Sequence, residues 1–415
     1  MRIKDLISKI KKNKTKVTLK DFIQPAVLPN CDASGNDYGK KEFDTTDKVY
    51  LFSSEELKDL TDLQRMTFPT DYAIVNGVST GNTHSITRQS CFVLTRSNYI
   101  DTSDKKLIIT QSGSVADSSV TNSLYTKYGI APCLHLDCKK VIQAQKELGM
   151  FNITVQTFSD NSQNHCLQFG FFPQTYVGDE LNDKLTFLLN NDLLKSTGKK
   201  YLRGKEVSKF LYRDEYVYKG KKYVFEIIDS DAINNILKNG KEVLHNKNDV
   251  MWFSVEPIEW KILNWNDLPR EINPNGTGKT NYIEIASTEA LLTKIPITLS
   301  PSDNNSLMWQ NSIVRQALNG YDIREEMKNK NGNPNFQAKQ NIPCVNQGFV
   351  DQAFTEKVDI DFDKKIVIED EQNNSFNTTK TLSSAEIARN ELIKKALERK
   401  KQQSNNNDDQ NENIL

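Results

Sequence analysis

Histidine and cysteine are scarce: the chain of 415 residues holds four of the first and six of the second. Cys31, Cys91, Cys133, Cys138, Cys166 and Cys344 lie too far apart for the dense framework of a disulfide scaffold. CxxC and HxxxH spacings are missing, which removes the usual closed zinc site, and DxDxDG is missing, which removes the EF-hand loop. An excess of either charge is missing as well. Lysine plus arginine number 54 and aspartate plus glutamate 54, so the formal net charge is zero. That balance lacks the electrostatic footprint of a nucleic-acid binder, and no nucleic acid partner is expected. No stretch nears the ~18–20 consecutive apolar residues of a membrane helix, so no membrane span is expected. Hydrophobic residues make up only 37% of the chain, and mean hydropathy is −0.61. Asn, Lys, Asp, Gln and Ser fill the deficit, most densely toward residue 415. The opening segment MRIKDLISKIKKNKTK has neither the apolar centre nor the small-residue cleavage site of a secretory leader. The expectation is a cytoplasmic chain with reduced, mostly buried cysteines; an extracellular or phage-associated role stays open.

What is present is a series of short periodic segments. Ile3, Leu6, Ile7 and Ile10 fall at helical spacing among lysines and predict a short basic amphipathic helix within residues 1–21. From 22 to 138 the pattern is mostly β. Residues 47–52 read as a strand. Ser53 and Glu56 then form a capping-box pattern ahead of a helix whose Leu57, Leu60 and Leu63 share a face. Residues 91–95, 107–110, 114–116 and 130–136 read as strands parted by Gly and Ser turns. Residues 138–148 predict a helix closed by Gly149. Residues 151–157 and 167–172 read as strands, 181–194 as a helix, and 216–228 as a Tyr-rich hairpin turning at Gly220. Residues 252–265 alternate as a strand, 282–286 form another, and 309–318 predict a helix stopped by Asn319-Gly320. Residues 383–403 predict a solitary capped helix, followed by a disordered Asn-rich tail. The expected organisation is a helix at 1–21, a domain over 22–360, and a linker, helix and tail over 361–415.

Two stretches resemble a bacterial family, domain of unknown function 6273. TTDKVYLFSSEEL, FPTDYAIVNG, CFVLTR and YGIAPCLHLD resemble its closing half. FGFFPQTYVGD, WFSVEPIEWKILNW, MWQNSIVRQALNG and GFVDQAFTEK resemble its opening half. Together they cover most of residues 45–137 and 169–357. That family is similar in turn to C-type-lectin-like domains, formylglycine-generating enzymes and phage receptor binders, and residues 68–73 resemble the helix start of that group. The resemblance implies an α+β fold: a C-type-lectin-like twisted antiparallel sheet with a few helices and long loops. The order departs from the family's, because the closing half comes first. One account is a circular permutation, in which 22–138 and 150–360 close into one domain and 138–166 joins the old ends. The other is two half-domains that need partners, since a half-sheet leaves strand edges and an apolar face bare. Close termini make permutation cheap, and we read one permuted domain. On that reading strand 130–136 lies close to strand 167–172, and the 309–318 helix packs near Val93 or Leu94. The copper chemistry of the formylglycine-generating group needs paired cysteines that no matched position supplies. No cofactor is therefore expected.

Few residues stand out for chemistry. NPNGTGKT at 273–280 has Asn273 where a P-loop needs glycine, and it reads as a surface loop. Cys133, His135 and His165, with Cys138 and Cys166 beside them, are the metal candidates, because thiolate and imidazole bind zinc. Their spacing favours buried thiols and a satisfied histidine instead. Asp71 and Arg96 are candidates for a binding pocket. The tryptophans Trp252, Trp260, Trp265 and Trp309 all fall in the second stretch. At strand alternation they read as core; one at a surface would anchor a sugar ring or a protein. Trp309 and Arg315 are binding candidates on that helix. Arg315 either clamps a ligand or sits in a buried pair, and the second reading requires a carboxylate partner. The expected function is non-catalytic binding of a protein or glycan on a lectin-like scaffold. The alternatives are an enzyme with a pocket between the two halves, and an interaction protein tethered through its 383–403 helix.

Overall fold

The computed structural model describes residues 16–32, 35–36, 38–80, 89–99, 105–119, 127–205, 210–228, 233–238, 241–295, 297, 308–320, 347–360 and 362. The chain divides into Met1–Lys364 and Lys365–Leu415, and all described residues belong to the first unit. The helices expected at 1–12 and 383–403, and the tail, lie outside the described residues. Residues 16–22 form a short strand and a 3-10 turn.

The fold is mixed α+β, mostly antiparallel, with few helices. Among the described residues its main sheet has ten strands. They are β1 (Ile23–Gln24), β2 (Val49–Tyr50), β3 (Cys133–Asp137), β4 (Thr154–Thr157), β5 (Gln163–Tyr176), β6 (Ser196–Lys205), β7 (Phe210–Tyr218), β8 (Lys221–Ile227), β9 (Val250–Ile262) and β10 (Tyr282–Ser287). The order is β6-β7-β8-β9-β10-β3-β1. Strand β2 joins β3 beside β1, while β5 takes the other edge of β9 and carries β4. The helices used below are α1 (Asp62–Arg65), α2 (Asp71–Val75), α3 (Cys138–Leu148), α4 (Asp179–Asn190), α5 (Ile313–Asn319) and α6 (Phe349–Ala353).

Strand β9 is central because its sequence serves both faces. Trp252, Phe253, Ile258 and Trp260 are buried, and aromatic and β-branched residues suit such a strand. Trp260 Nε1 donates to the Phe169 carbonyl at 2.6 Å, which ties β9 to β5. The β7–β8 hairpin turns at Lys219 and Gly220, with φ of 49° and 77°. Two positive φ values define the turn type that matches strand twist, and glycine reaches them without a Cβ clash. Helix α3 runs as its pattern requires: Asp137 caps it by accepting from Lys139 N and Lys140 N. Helix α5 is capped by Ser312, which accepts from Arg315 N.

Residues of both family-like stretches share one apolar core. Leu51, Val93 and Leu134 of the first cluster with Phe172, Trp260, Ile283, Val314 and Phe349 of the second. A satellite core holds Leu185, Tyr223 and Trp252 under α4.

Two expectations are corrected. Residues 53–63 do not form one helix. The Ser53–Glu56 box closes, with Ser53 N donating to Glu56 at 2.9 Å, but turns follow and only α1 is helical. The Leu57 carbonyl accepts from Leu60 N at 3.3 Å, a turn and not an α-helical bond, and from Arg65 Nη1 at 2.9 Å. Strands β3 and β5 are not neighbours: β10 and β9 stand between them. The inner edges of both are satisfied by these two strands. Helix α5, whose Ile313, Val314, Ala317 and Leu318 share the core with Val93 and Leu94, is fixed at residues 48–49. Asn319 Oδ1 accepts from Lys48 N and Val49 N, each at 3.0 Å.

Candidate functional site

Trp309 and Arg315 meet at one buried carboxylate. Arg315 Nε donates to Asp47 Oδ1 at 2.7 Å and Trp309 Nε1 to Asp47 Oδ2 at 2.9 Å. Thr45 Oγ1 donates to the same Oδ2 at 2.8 Å. Both candidates therefore face inward, and the pair joins helix α5 to the strand of residues 45–47.

Arg96 is also internal. Its guanidinium donates to Glu56 at 2.8 and 2.5 Å and to the Leu51 carbonyl at 2.6 Å. It lies over the Tyr50 ring, 5.4 Å from the centroid. Burial works against the charge of Arg96, but the Glu56 carboxylate outweighs it and raises the pKa. Asp71 is buried at the start of α2 and accepts from Tyr176 N at 2.9 Å and Lys238 N at 2.6 Å. Burial pushes its carboxyl up despite these bonds.

The metal candidates do not converge. Cross-strand pairs run Cys166–Lys261–Ala286–Cys133–Tyr50 across one face of the sheet. Opposed residues share a face and strands lie about 4.8 Å apart, so Cys166 and Cys133 are about 14 Å apart. His165 pairs through Ile262 and Ile285 to Leu134, and so projects opposite to His135. Each histidine has an aromatic partner: His135 stacks on Tyr282 at 4.1 Å and His165 on Trp265 at 3.9 Å. His135 Nε2 is 4.0 Å from Glu284, whose other bond comes from Tyr50 OH at 3.0 Å. Burial pushes Glu284 up, and His135 with Tyr50 and Arg96 more than reverses it, leaving it below the usual carboxylate range. Among the described residues no group of three or more His, Cys, Asp or Glu is placed to hold a metal ion. One serine spacing escapes the sequence reading. Gly77–Val78–Ser79–Thr80–Gly81 fits the nucleophile elbow, but that turn needs a strand before it, and here α2 precedes it.

Two clefts open elsewhere. The first, about 400 Å³, is lined by Phe151, Phe169, Phe171, Asn152, Gln168 and Glu259 among others. There β5 bulges between Gln168 and Phe171, Gly170 has φ 75°, and Phe151 has φ 58°. Bulges and left-handed non-glycine residues cluster at functional rims.

The second cleft, about 600 Å³, lies between the start of α4 and the β7–β8 hairpin. Tyr218, Tyr223, Lys184, Lys219 and Lys221 line it, with Asp179, Glu180 and Leu181. Its walls are fixed from below. Leu181, Leu185 and Leu189 recur at one helix face and pack on Tyr223, Trp252 and their neighbours. Asn182 Oδ1 accepts from Trp252 N at 2.9 Å, and Trp252 Nε1 donates to Thr186 Oγ1 at 3.1 Å. No protein-family model, no curated protein and no solved structure matches the chain. The site must therefore be argued from its own geometry. The Tyr-rich hairpin was visible in the sequence, but α4 as its opposite wall was not, because nothing local pairs the two.

Proposed function

We propose that the chain is a non-catalytic binding module that takes a protein or glycan ligand in the cleft between α4 and the β7–β8 hairpin. The observation that carries this reading is the lining itself: tyrosines and charged side chains on two elements locked to the main sheet through Trp252. Rigid aromatic anchors with a few placed polar groups are what a binding site needs. The ionisable residues flagged by sequence are tied into internal pairs such as Arg315–Asp47 and Arg96–Glu56. We further propose that the scaffold is lectin-like with its halves permuted. The family-like segments support this, and the mostly antiparallel α+β architecture is compatible with it.

The test is to screen the full chain on glycan and peptide arrays beside a Tyr218→Ala variant. Signals present for the parent and lost in the folded variant support the reading. Chemical turnover of a bound ligand, seen by mass spectrometry, would overturn the non-catalytic part of it.

A further inference from the structure

The hairpin cleft carries a charge excess that points to its class of ligand; this inference rests on the binding reading above. Lys184, Lys219 and Lys221 are exposed and line the cleft. Among the described residues none of the three enters an ion pair. Two carboxylates stand against them. Asp179 is already held by Lys241 Nζ at 2.6 Å and by Tyr176 OH at 3.1 Å. Glu180 is then the remaining carboxylate in a lining with three lysines. The ammoniums of Lys184 and Lys219 lie 5.9 and 5.5 Å from the centroid of the Tyr218 ring. Aromatic surface and positive charge are thus offered together.

The backbone offers little to a ligand here. Strand β7 is paired on both edges by β6 and β8, and β8 by β7 and β9. An extended peptide draws its affinity from an unpaired sheet edge; β7 is paired with β6 only up to Tyr216 and β8 with β9 only from Tyr223, which leaves two-residue stubs beside the turn, too short to take up a strand. Recognition falls to side chains: the partly exposed Tyr218 ring for the C–H surface of a sugar, above the buried Tyr223, and lysines for carboxylate or sulfate. A volume of about 600 Å³ is in the range of compact ligand sites. We propose that this cleft binds an acidic saccharide, one that carries carboxylate or sulfate groups.

The test is calorimetry on the full chain with four probes: a heparin tetrasaccharide, tetragalacturonate, the uncharged tetrasaccharide chitotetraose and hexaglutamate. One or both acidic saccharides are expected to bind. The variant K184Q/K219Q/K221Q should weaken that binding by about tenfold or more, since each exposed charge contact contributes roughly 0.5 kcal/mol. A control with the same charge change on other surfaces, K139Q/K146Q/K247Q, should stay within about twofold of the parent. The uncharged tetrasaccharide and hexaglutamate should bind at least about tenfold more weakly. Equal losses in the two triple variants, or hexaglutamate binding as tightly as the saccharides, would overturn the proposal. So would failure of both acidic saccharides at millimolar concentration. Binding of a neutral glycan that needs Tyr218 but none of the lysines would overturn the acidic inference while leaving the binding reading intact.

Discussion

Arg315 and Asp47 are 268 residues apart in the chain, yet Nε of one donates to Oδ1 of the other at 2.7 Å in the interior. The pair spans the two family-like stretches. It fixes helix α5 against the strand that precedes β2, with Trp309 and Thr45 completing the carboxylate's bonds.

Breaking one side of that pair takes a carboxylate away from a buried guanidinium. Asp47→Ala should cost about 3–5 kcal/mol by denaturant unfolding, because Arg315 keeps its charge and loses this carboxylate. The double variant Asp47→Leu with Arg315→Met should cost much less. Equal losses in the single and double variants would contradict the account of the pair.

Gly170 is a second point of leverage. Its φ is 75°, and a Cβ there would overlap the Phe354 ring and lie 3.0 Å from the Ala353 carbonyl. Gly170→Ala should destabilise by about 2–3 kcal/mol. Adding Phe354→Leu should recover the ring overlap but not the backbone strain. An unchanged melting temperature for the single variant would show that the bulge in β5 is loose.

Two buried lysines give stability a pH dependence. Burial pushes Lys106 and Lys261 down to about 8 from the usual 10.5. Their ammoniums donate to the Arg96 carbonyl at 3.0 Å and the Gln64 carbonyl at 2.6 Å. Between these values the unfolded chain holds more protons than the folded one, so stability rises with pH. Below pH 8 the penalty is fully present; it fades as pH climbs toward 10.5. Tyr50 and Tyr72, raised by burial, act in the opposite sense once free tyrosine ionises near 10. The buried thiols Cys133, Cys138 and Cys166, also raised, act in that opposite sense from about pH 9, where free thiols ionise, so the unfolding free energy should climb from pH 8 to about 9 and then turn over. Lys261→Met should flatten the climb; a parent profile falling across that window would contradict the assignment.

The cysteines should be unreactive in the folded protein. Burial pushes Cys138 and Cys166 up to about 12 and raises Cys133 well above its ordinary value. The thiolate is the reactive form. A thiol reagent should modify Cys31, Cys91, Cys133, Cys138 and Cys166 slowly under native conditions and promptly in denaturant; all five are buried free thiols. Fast native labelling at Cys133 would reopen it as a chemical site.

Elements governed by neighbouring residues were legible in the sequence. Helix α3 with Gly149, the hairpin at Gly220 and the alternation of β9 are local patterns, and the structure carries them. The helix expected at 53–63 is replaced by successive turns, with Lys58 N bonding Glu55 and Leu60 N bonding Leu57, while the Arg65 guanidinium ties the Leu57 carbonyl to a later segment, a tertiary contact that periodicity does not encode. Arg315 pointed to some carboxylate, but selecting Asp47 among all the acidic residues requires the fold. The candidate cleft was half legible: the tyrosines and lysines of the hairpin are contiguous, while Lys184 joins them only because Leu181, Leu185 and Leu189 seat α4 on the same sheet face.

Hydrogen exchange on the full chain, with and without the strongest array ligand, tests the central claim most directly. The account predicts slowed exchange at residues 177–184 and 216–223, with residues 149–154 and 167–171 unchanged. Protection at the Phe151–Gly170 cleft instead, or none at the α4–hairpin cleft, would contradict it.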